Sequence, residues 1–256
     1  MTAVTVNPRL DARRVAVQRD VARRRTRRLM IVLSLLSTVL LGWLVVNSPL
    51  MDVDDVQIRG LDRVSLDAAE EAMGVSVGDS MARLDTDAIA EKLELMAWVD
   101  EVVVTRRWPG TLDITVRERE AVAVTLVDAD QWVLVDSDGR VLSEALGLVP
   151  SLPRLTGLRA AAEPGTFLAG DAAAPLAIIT ALPDSVAEQV AAIWRDGDGE
   201  LSMSLISGDI VVLGGDLDLR AKVAAAATMV ELMAEQGRVD WIVDVSVPSL
   251  TTVSDR

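Results

Sequence analysis

Along this 256-residue chain the spacing of hydrophobic positions changes character twice. Residues 29 to 46, LMIVLSLLSTVLLGWLVV, run for 18 positions without a charge. As a helix rising ~1.5 Å per residue they reach roughly 27 Å, close to the hydrocarbon thickness of a bilayer. Beyond them the runs shorten and become periodic. Residues 53 to 59 (VDDVQIR) read as a strand ended by Gly60. Ser65 offers an N-cap to a helix over Leu66–Met73, with Asp67 in its first turn and Gly74 as its stop. Asp85 or Thr86 caps a second helix, where Ile89, Leu93 and Met96 recur at i, i+4, i+7. Residues 102 to 104 are all Val, and after Trp108-Pro109-Gly110 the apolar Leu112, Ile114 and Val116 alternate with Asp113, Thr115 and Arg117, which predicts a hairpin. The order β-α-α-β-β in about 70 residues describes a small α+β module.

From Ala121 the pattern is β-rich. Residues 121 to 127 and 132 to 135 read as strands, and Asp136-Ser137-Asp138-Gly139 as the turn into residues 140 to 142. A less regular stretch covers 152 to 170, and an Ala-rich segment predicts a helix up to Leu182. Leu201, Met203 and Leu205 alternate, Gly208-Asp209 turns, and residues 210 to 213 return. Residues 219 to 233 are a strong helix with Gly237 in the C′ position, and residues 241 to 247 form a last strand closed by Pro248 before a short tail. The fold class is therefore α+β: one N-terminal transmembrane helix, a small β-α-α-β-β domain, and a β-rich domain with one or two helices.

Charge orients this layout. Nine arginines against Asp11 and Asp20 give residues 1 to 28 a charge of +7, so with a total of −14 and an uncharged span the remainder carries −21. Arg23, Arg24, Arg25, Arg27 and Arg28 stand just before the span, and Asp52, Asp54 and Asp55 after it. The positive-inside rule then places the N-terminus in the cytoplasm and everything past residue 50 outside, with Trp43 near the outer interface. A cleavable signal peptide fits poorly, because the apolar stretch is long and no A-x-A-like site follows it. The basic run has no interleaved aromatic residue, which argues against nucleic acid and for topology and anionic-lipid attraction.

Composition removes most catalytic chemistry. The chain has no His, Cys or Tyr, which excludes His-based triads, Cys nucleophiles, Cys/His zinc sites and disulfides. Its two lysines, Lys92 and Lys222, have Ile89 and Leu219 three residues upstream, so no Ser-x-x-Lys pair exists. Asp136-x-Asp138-Gly139 and Asp196-x-Asp198-Gly199-Glu200 resemble pieces of a calcium loop but lack its remaining ligands, and read as Asx turns. No cofactor or metal is expected. A carboxylate-dependent hydrolase on a membrane anchor, or a cell-wall-binding domain, is the alternative, supported only by the abundance of acids.

The most specific stretch is Arg106-Arg107-Trp108-Pro109-x-Thr111-Leu112-x-Ile114-x-Val116-x-Glu118-Arg119. With Val53-x-x-Val56-x-Ile58-x-Gly60 before it, and Leu152-Pro153-x-Leu155-x-Gly157, Leu213-Gly214, Lys222 and Val243-Asp244-Val245 after it, the chain resembles the FtsQ/DivIB family of cell-division proteins. Two positions depart: Ala121 stands where the family usually has Pro, and Ser246 where an Arg commonly follows. The resemblance implies a cytoplasmic tail at 1 to 28, a signal-anchor at 29 to 50, a POTRA domain at 51 to 120 and a β domain at 121 to 256. It further implies a non-enzymatic, single-pass scaffold at the division septum that binds bitopic FtsB- and FtsL-type partners, with an FtsW/FtsI-type septal synthase as a further partner.

Partner-binding residues follow from that reading. A terminal strand over Asp244, Val245, Ser246, Val247, Ser249, Thr251 and Val253 accepts a partner strand by β-augmentation, or else is an ordinary edge blunted by Pro248. Lys222 reads either as a solvated or snorkelling cation or as a partner salt bridge. Arg106, Arg107 and Trp108 are candidates for a second contact on the POTRA face. The competing readings are a hairpin loop with a partly buried Trp, and arginines paired across strands with Glu118 and Glu120.

Overall fold

The computed structural model describes residues 27–45, 48, 51–128, 131–145, 151–158 and 163–255. Expectations that rest on the arginines before residue 27, on Val46 and on Pro49 lie outside the described residues, as do positions 159 to 162 of the irregular stretch. Helix α1 (Arg27–Val45) is 19 residues long with a mean hydropathy of 2.1, long and apolar enough to cross a membrane.

The chain forms two compact units. One gathers the described residues up to Gln57 with Val75–Asp85 and Thr105–Asp113; the other gathers Ile58–Gly74, Thr86–Val104 and the described residues from Ile114 onward. Strand β1 (Asp55–Arg59), helices α2 (Leu66–Met73) and α3 (Thr86–Glu94), and strands β2 (Val99–Arg107) and β3 (Thr111–Glu118) occur in the expected order, with the strands paired β1-β3-β2. Helix α2 starts and stops where its sequence says. Ser65 is extended and its hydroxyl accepts from Ala68 N, while Gly74 is left-handed (φ 64°) and its N–H donates to Glu70 O. Ala69 and Met73 of α2 and Ile89 and Leu93 of α3 are buried, and Lys92 Nζ donates to Met73 O (3.2 Å), covering the exposed carbonyl end of α2.

Between β1 and α2 the chain is held by one carboxylate. Glu118 Oε1 accepts from the N–H groups of Asp62 (3.0 Å) and Val64 (2.9 Å), and Oε2 from that of Arg63 (2.8 Å). Gly60 (φ 87°) permits this approach: a Cβ there lies 2.0 Å from Val116 O, a distance no side chain tolerates.

The second unit contains a mixed nine-stranded sheet built from β4 (Ala123–Asp128), β5 (Gln131–Val135), β6 (Val141–Ala145), β7 (Arg154–Thr156), β8 (Val190–Arg195), β9 (Leu201–Leu205), β10 (Ile210–Gly214), β11 (Trp241–Asp244) and β12 (Thr252–Asp255). Their order is β12-β11-β10-β9-β8-β7-β4-β5-β6. Helices α4 (Ala173–Ala181), α5 (Asp184–Ala187) and α6 (Leu219–Glu235) complete the unit, and Ile178, Val186, Val223 and Val230 share one buried cluster with Val133, Ile193, Met203 and Val243 of the sheet. Helix α6 ends in a Schellman motif: Gly237 (φ 64°) donates to Ala234 O (3.0 Å) and Arg238 N to Met233 O (3.1 Å).

Four elements escape the sequence pattern. β7 lies in the stretch read as irregular, and β8, VAAIWR, has paired alanines that weaken a strand signal. Both are made strands by neighbours on each side, β7 between β4 and β8 and β8 between β7 and β9. Helix α5 has only four residues. β12 occupies the segment read as a tail.

Burial pushes the Glu118 carboxyl up, but the N–H groups of Val64, Asp62 and Arg63, with the charge of Arg63, outweigh it and hold it below its ordinary value of 4.5. Such a group stabilises the fold above its unfolded-state value, and the contribution is lost as pH falls through the lowered one. Glu118→Ala is expected to cost about 1–3 kcal/mol at pH 7. Urea unfolding of parent and variant at a series of pH values checks this. The gap narrows below about pH 4, and a gap that stays constant down to pH 3 contradicts the role.

Candidate functional site

The chain ends in a parallel pair with one antiparallel neighbour. β10 pairs with β11 in parallel (Val211 with Val243), and β11 pairs with β12 antiparallel (Val243 with Val253, Trp241 with Asp255). The start of β11 is fixed by buried Asp209, whose Oδ1 accepts from Trp241 N (3.0 Å) and whose Oδ2 accepts from the Ser207 hydroxyl (2.6 Å). Arg238 pairs with Asp255 at 2.9 Å.

This geometry corrects the expectation of one strand across residues 244 to 253. Asp244 ends β11; its Oδ1 accepts from Ser246 N (2.8 Å) and turns the chain. Val245 is fully buried, and its N–H donates to Val212 O (2.9 Å), so it belongs to the core. Val247 and Ser249 are exposed on a turn closed by Leu250 N to Val247 O (2.9 Å), Thr251 leads out of it, and Val253 is half-buried in β12. Thr252, Ser254 and Asp255, missed in the sequence, complete the outermost strand. Their signal is a single apolar residue, Val253, between Thr252 and Ser254, too little to stand out.

Lys222 is not the solvated or snorkelling cation of the sequence reading. It is 5% exposed, and its Nζ donates to Gly215 O at 2.6 Å. Next to it Gly214 (φ 69°) leaves no room for a Cβ, which falls 2.8 Å from Ser246 Cβ. Lys222 thus holds the loop between β10 and α6 beside the turn at Ser246.

In the first unit, Arg106, Arg107 and Trp108 sit at the tip of the β2–β3 hairpin. Arg106 is half-buried and donates to Leu84 O. Arg107 pairs with Asp113, which is buried although alternation placed it with Thr115 and Arg117 on the polar face. Trp108 is 53% exposed and joined to Pro109 by a cis peptide bond. Gly110 O accepts from Asp54 N (2.7 Å) and Asp55 N (3.1 Å), and a Cβ at Gly110 meets Asp54 Oδ2 at 2.2 Å. Wide of the tip, Arg117 pairs with Asp100 and with Glu101 (3.0 Å). The expected pairing of these arginines with Glu118 and Glu120 gives way to Asp100, Glu101, Asp113, Asp136 and Asp138, because Glu118 is spent on backbone donors.

Arg119 is the centre of the largest ionic network among the described residues. It bonds Asp136 (2.7 Å), Asp138 (3.2 Å), Asp100 (3.2 Å) and, through Nε, Val99 O (3.0 Å). Burial pushes its guanidinium down, but Asp136, by bond and by charge, and Asp100 outweigh this and raise it. Asp136, 3% exposed, also accepts from Arg140 N (2.7 Å) and Asp138 N (3.0 Å), the Asx turn expected there. Asp196 repeats that geometry with Asp198 N (3.0 Å) and Glu200 N (2.9 Å). Two cavities, of about 640 and 470 Å³, share Arg119 in their walls. One runs along Ala88, Lys92, Leu95 and Arg140, the other past Arg63, Trp98, Leu134 and Leu152. No cluster of acids suited to a metal ion occurs among the described residues.

Two substitutions separate structure from recognition here. Arg119→Met leaves Asp136 buried without its counter-charge and is expected to cost about 3 kcal/mol, with Arg119→Lys milder. Lys222→Met keeps the stem but strips Gly215 O of its donor, for about 1–2 kcal/mol. Both are read from urea midpoints, and an unchanged midpoint for either removes the role given it.

A family model described as "POTRA domain, FtsQ-type" matches residues 51–119, and one described as "Cell division protein FtsQ/DivIB, C-terminal" matches residues 123–245. The chain is 33% identical over 216 residues to the "Cell division protein FtsQ" of Mycolicibacterium smegmatis, covering 84% of this chain and 61% of that one. It is 30% identical to the protein of that name from Streptomyces collinus (88% of each chain) and 26% identical to that from Streptomyces bingchenggensis (91% and 90%). The chain thus spans less than two thirds of the Mycolicibacterium relative. β12 lies beyond the residues that the two family models match.

Proposed function

Because this chain belongs to the FtsQ/DivIB family of cell-division proteins, we propose that it is a non-enzymatic, single-pass scaffold that gathers other division proteins at the bacterial septum and helps control septal peptidoglycan synthesis. Its proposed layout is a cytoplasmic tail at 1 to 28, an anchor at 29 to 50, and extracytoplasmic POTRA and β domains at 51 to 120 and 121 to 256. Its proposed partners are bitopic proteins of FtsB and FtsL type, engaged along the β12 edge, with an FtsW/FtsI-type synthase reached through them.

The supporting observation is an asymmetry between the two edges of the large sheet. At the β6 edge, Val141 N donates to Thr166 O (2.8 Å), Gly165 N donates to Val141 O (2.7 Å) and Arg140 bridges to Phe167, so that a crossing segment occupies the backbone. At the β12 edge no described segment lies outside the strand. Neither Pro nor Lys blunts it: the strand reads Thr252-Val253-Ser254-Asp255. An open edge of this kind takes a partner strand by main-chain hydrogen bonds, with Val253 and the exposed Val247 offering side-chain contacts.

The test is a chain ending at Thr251, which removes β12 but keeps Trp241, Val243 and Val245 in the core. A cut at Gly237 takes those core residues away and confounds binding with folding. Co-purification from membranes is expected to lose small bitopic coiled-coil proteins from the shortened chain, with its urea midpoint close to the parent's. Unchanged partners contradict binding at this edge.

A further inference from the structure

Where does the exposed apolar surface at the start of the outer domain go? Met51 follows the end of α1 by six residues, at most about 20 Å of extended chain. The path is shorter than that, because Ser48 N donates to Val45 O (3.1 Å) and Met51 N to Ser48 O (3.0 Å). Onto the backbone of residues 51 to 55 two loops of the same unit are pinned. Met81 N donates to Met51 O (3.1 Å), Val53 N to Asp79 O (2.8 Å) and Gly78 N to Val53 O (2.8 Å); Asp54 N and Asp55 N donate to Gly110 O. These bonds carry Val77, 71% exposed, and Trp108, 53% exposed, on loops fastened a few residues past the end of the apolar helix.

We propose that the loops carrying Val77 and Trp108 dock on the surface of the membrane that α1 crosses, with the Trp108 ring at headgroup level. The inference rests on the single-pass reading above. A Trp presents an apolar body and one N–H donor, the combination that concentrates this residue at membrane interfaces. The attraction need not be strong, because the short tether makes docking intramolecular. Charge does not drive it. Exposed Arg83 and Arg107 lie on the same unit as Asp52, Asp54, Asp55, Asp79 and Asp85, so the acids outnumber the arginines and anionic lipid does not strengthen the contact.

The chain has no cysteine, so single nitroxide labels report one position each. Full chains carrying Leu40→Cys, Val77→Cys or Val239→Cys are placed in vesicles of phosphatidylcholine, with and without phosphatidylglycerol, and collisions with oxygen and with a water-soluble nickel reagent are compared. The Val77 label is expected to favour oxygen over nickel in both lipids, between the deep Leu40 label and the aqueous Val239 label. Adding Trp108→Ala is expected to move it to the Val239 value. A Val77 label that matches Val239 while Leu40 reads deep overturns the docking and leaves the anchor standing. Shielding of Val77 from both reagents replaces lipid by protein and equally overturns it. A Leu40 label that reads aqueous overturns the single-pass reading, and this inference falls with it.

Discussion

A carboxylate taken out of water needs a counter-charge and donors, and buried Asp136 finds both in Arg119. That one ion pair joins the residue after Glu118, just past the end of β3, to the turn between β5 and β6. The same guanidinium reaches Asp100 and Val99 O at the start of β2 and Asp138 across the turn. Three backbone segments meet at one planar group, whose five donors suit such a junction better than a lysine's point charge. A second arginine extends the device: Arg140, positioned by its own N–H on Asp136, donates to Leu95 O (3.0 Å) and Glu94 O (3.2 Å) and so satisfies carbonyls at the end of α3. The Asp136-Ser137-Asp138-Gly139 turn is therefore where charge, helix capping and strand pairing depend on one another.

Much of this was legible in the sequence because local chemistry and the fold agree. Ser65, Gly74 and Gly237 mark helix ends by the mechanism their side chains, or lack of them, supply. The hairpin around Trp108-Pro109-Gly110 follows from alternation on both sides. What escaped was decided by distant partners. The alternation of β3 puts Asp113 on the polar side, but Arg107 across the hairpin lets it be buried. Lys222 looks like a surface residue among alanines until Gly215 O is known to lie 2.6 Å from its amine. β8 is a strand because β7 and β9 flank it, not because VAAIWR asks to be one. The candidate edge suffered most, since a one-strand reading of residues 244 to 253 merges core Val245 with exposed Val247.

Arginine supplies most of the internal ionic fixing in this chain, and that bears on how it can recognise anything. Arg107, Arg117, Arg119, Arg195 and Arg238 each meet a carboxylate, and Arg106 and Arg140 each hold backbone carbonyls. Cations committed in this way offer little to an acidic partner. Without His, Cys or Tyr, and with both lysines donating to carbonyls, the side-chain repertoire for specific polar recognition is narrow. Among the described residues, the backbone of the β12 edge stays open, and isolated apolar side chains stand exposed on turns. A surface of that composition binds by strand addition and by burying single Val, Leu or Trp residues, contacts that need a partner to bring a complementary strand or an apolar phase. For a protein proposed to assemble others beside a membrane this is a coherent division: internal charges fix the shape, and the unpaired main chain and exposed apolar tips are left for company.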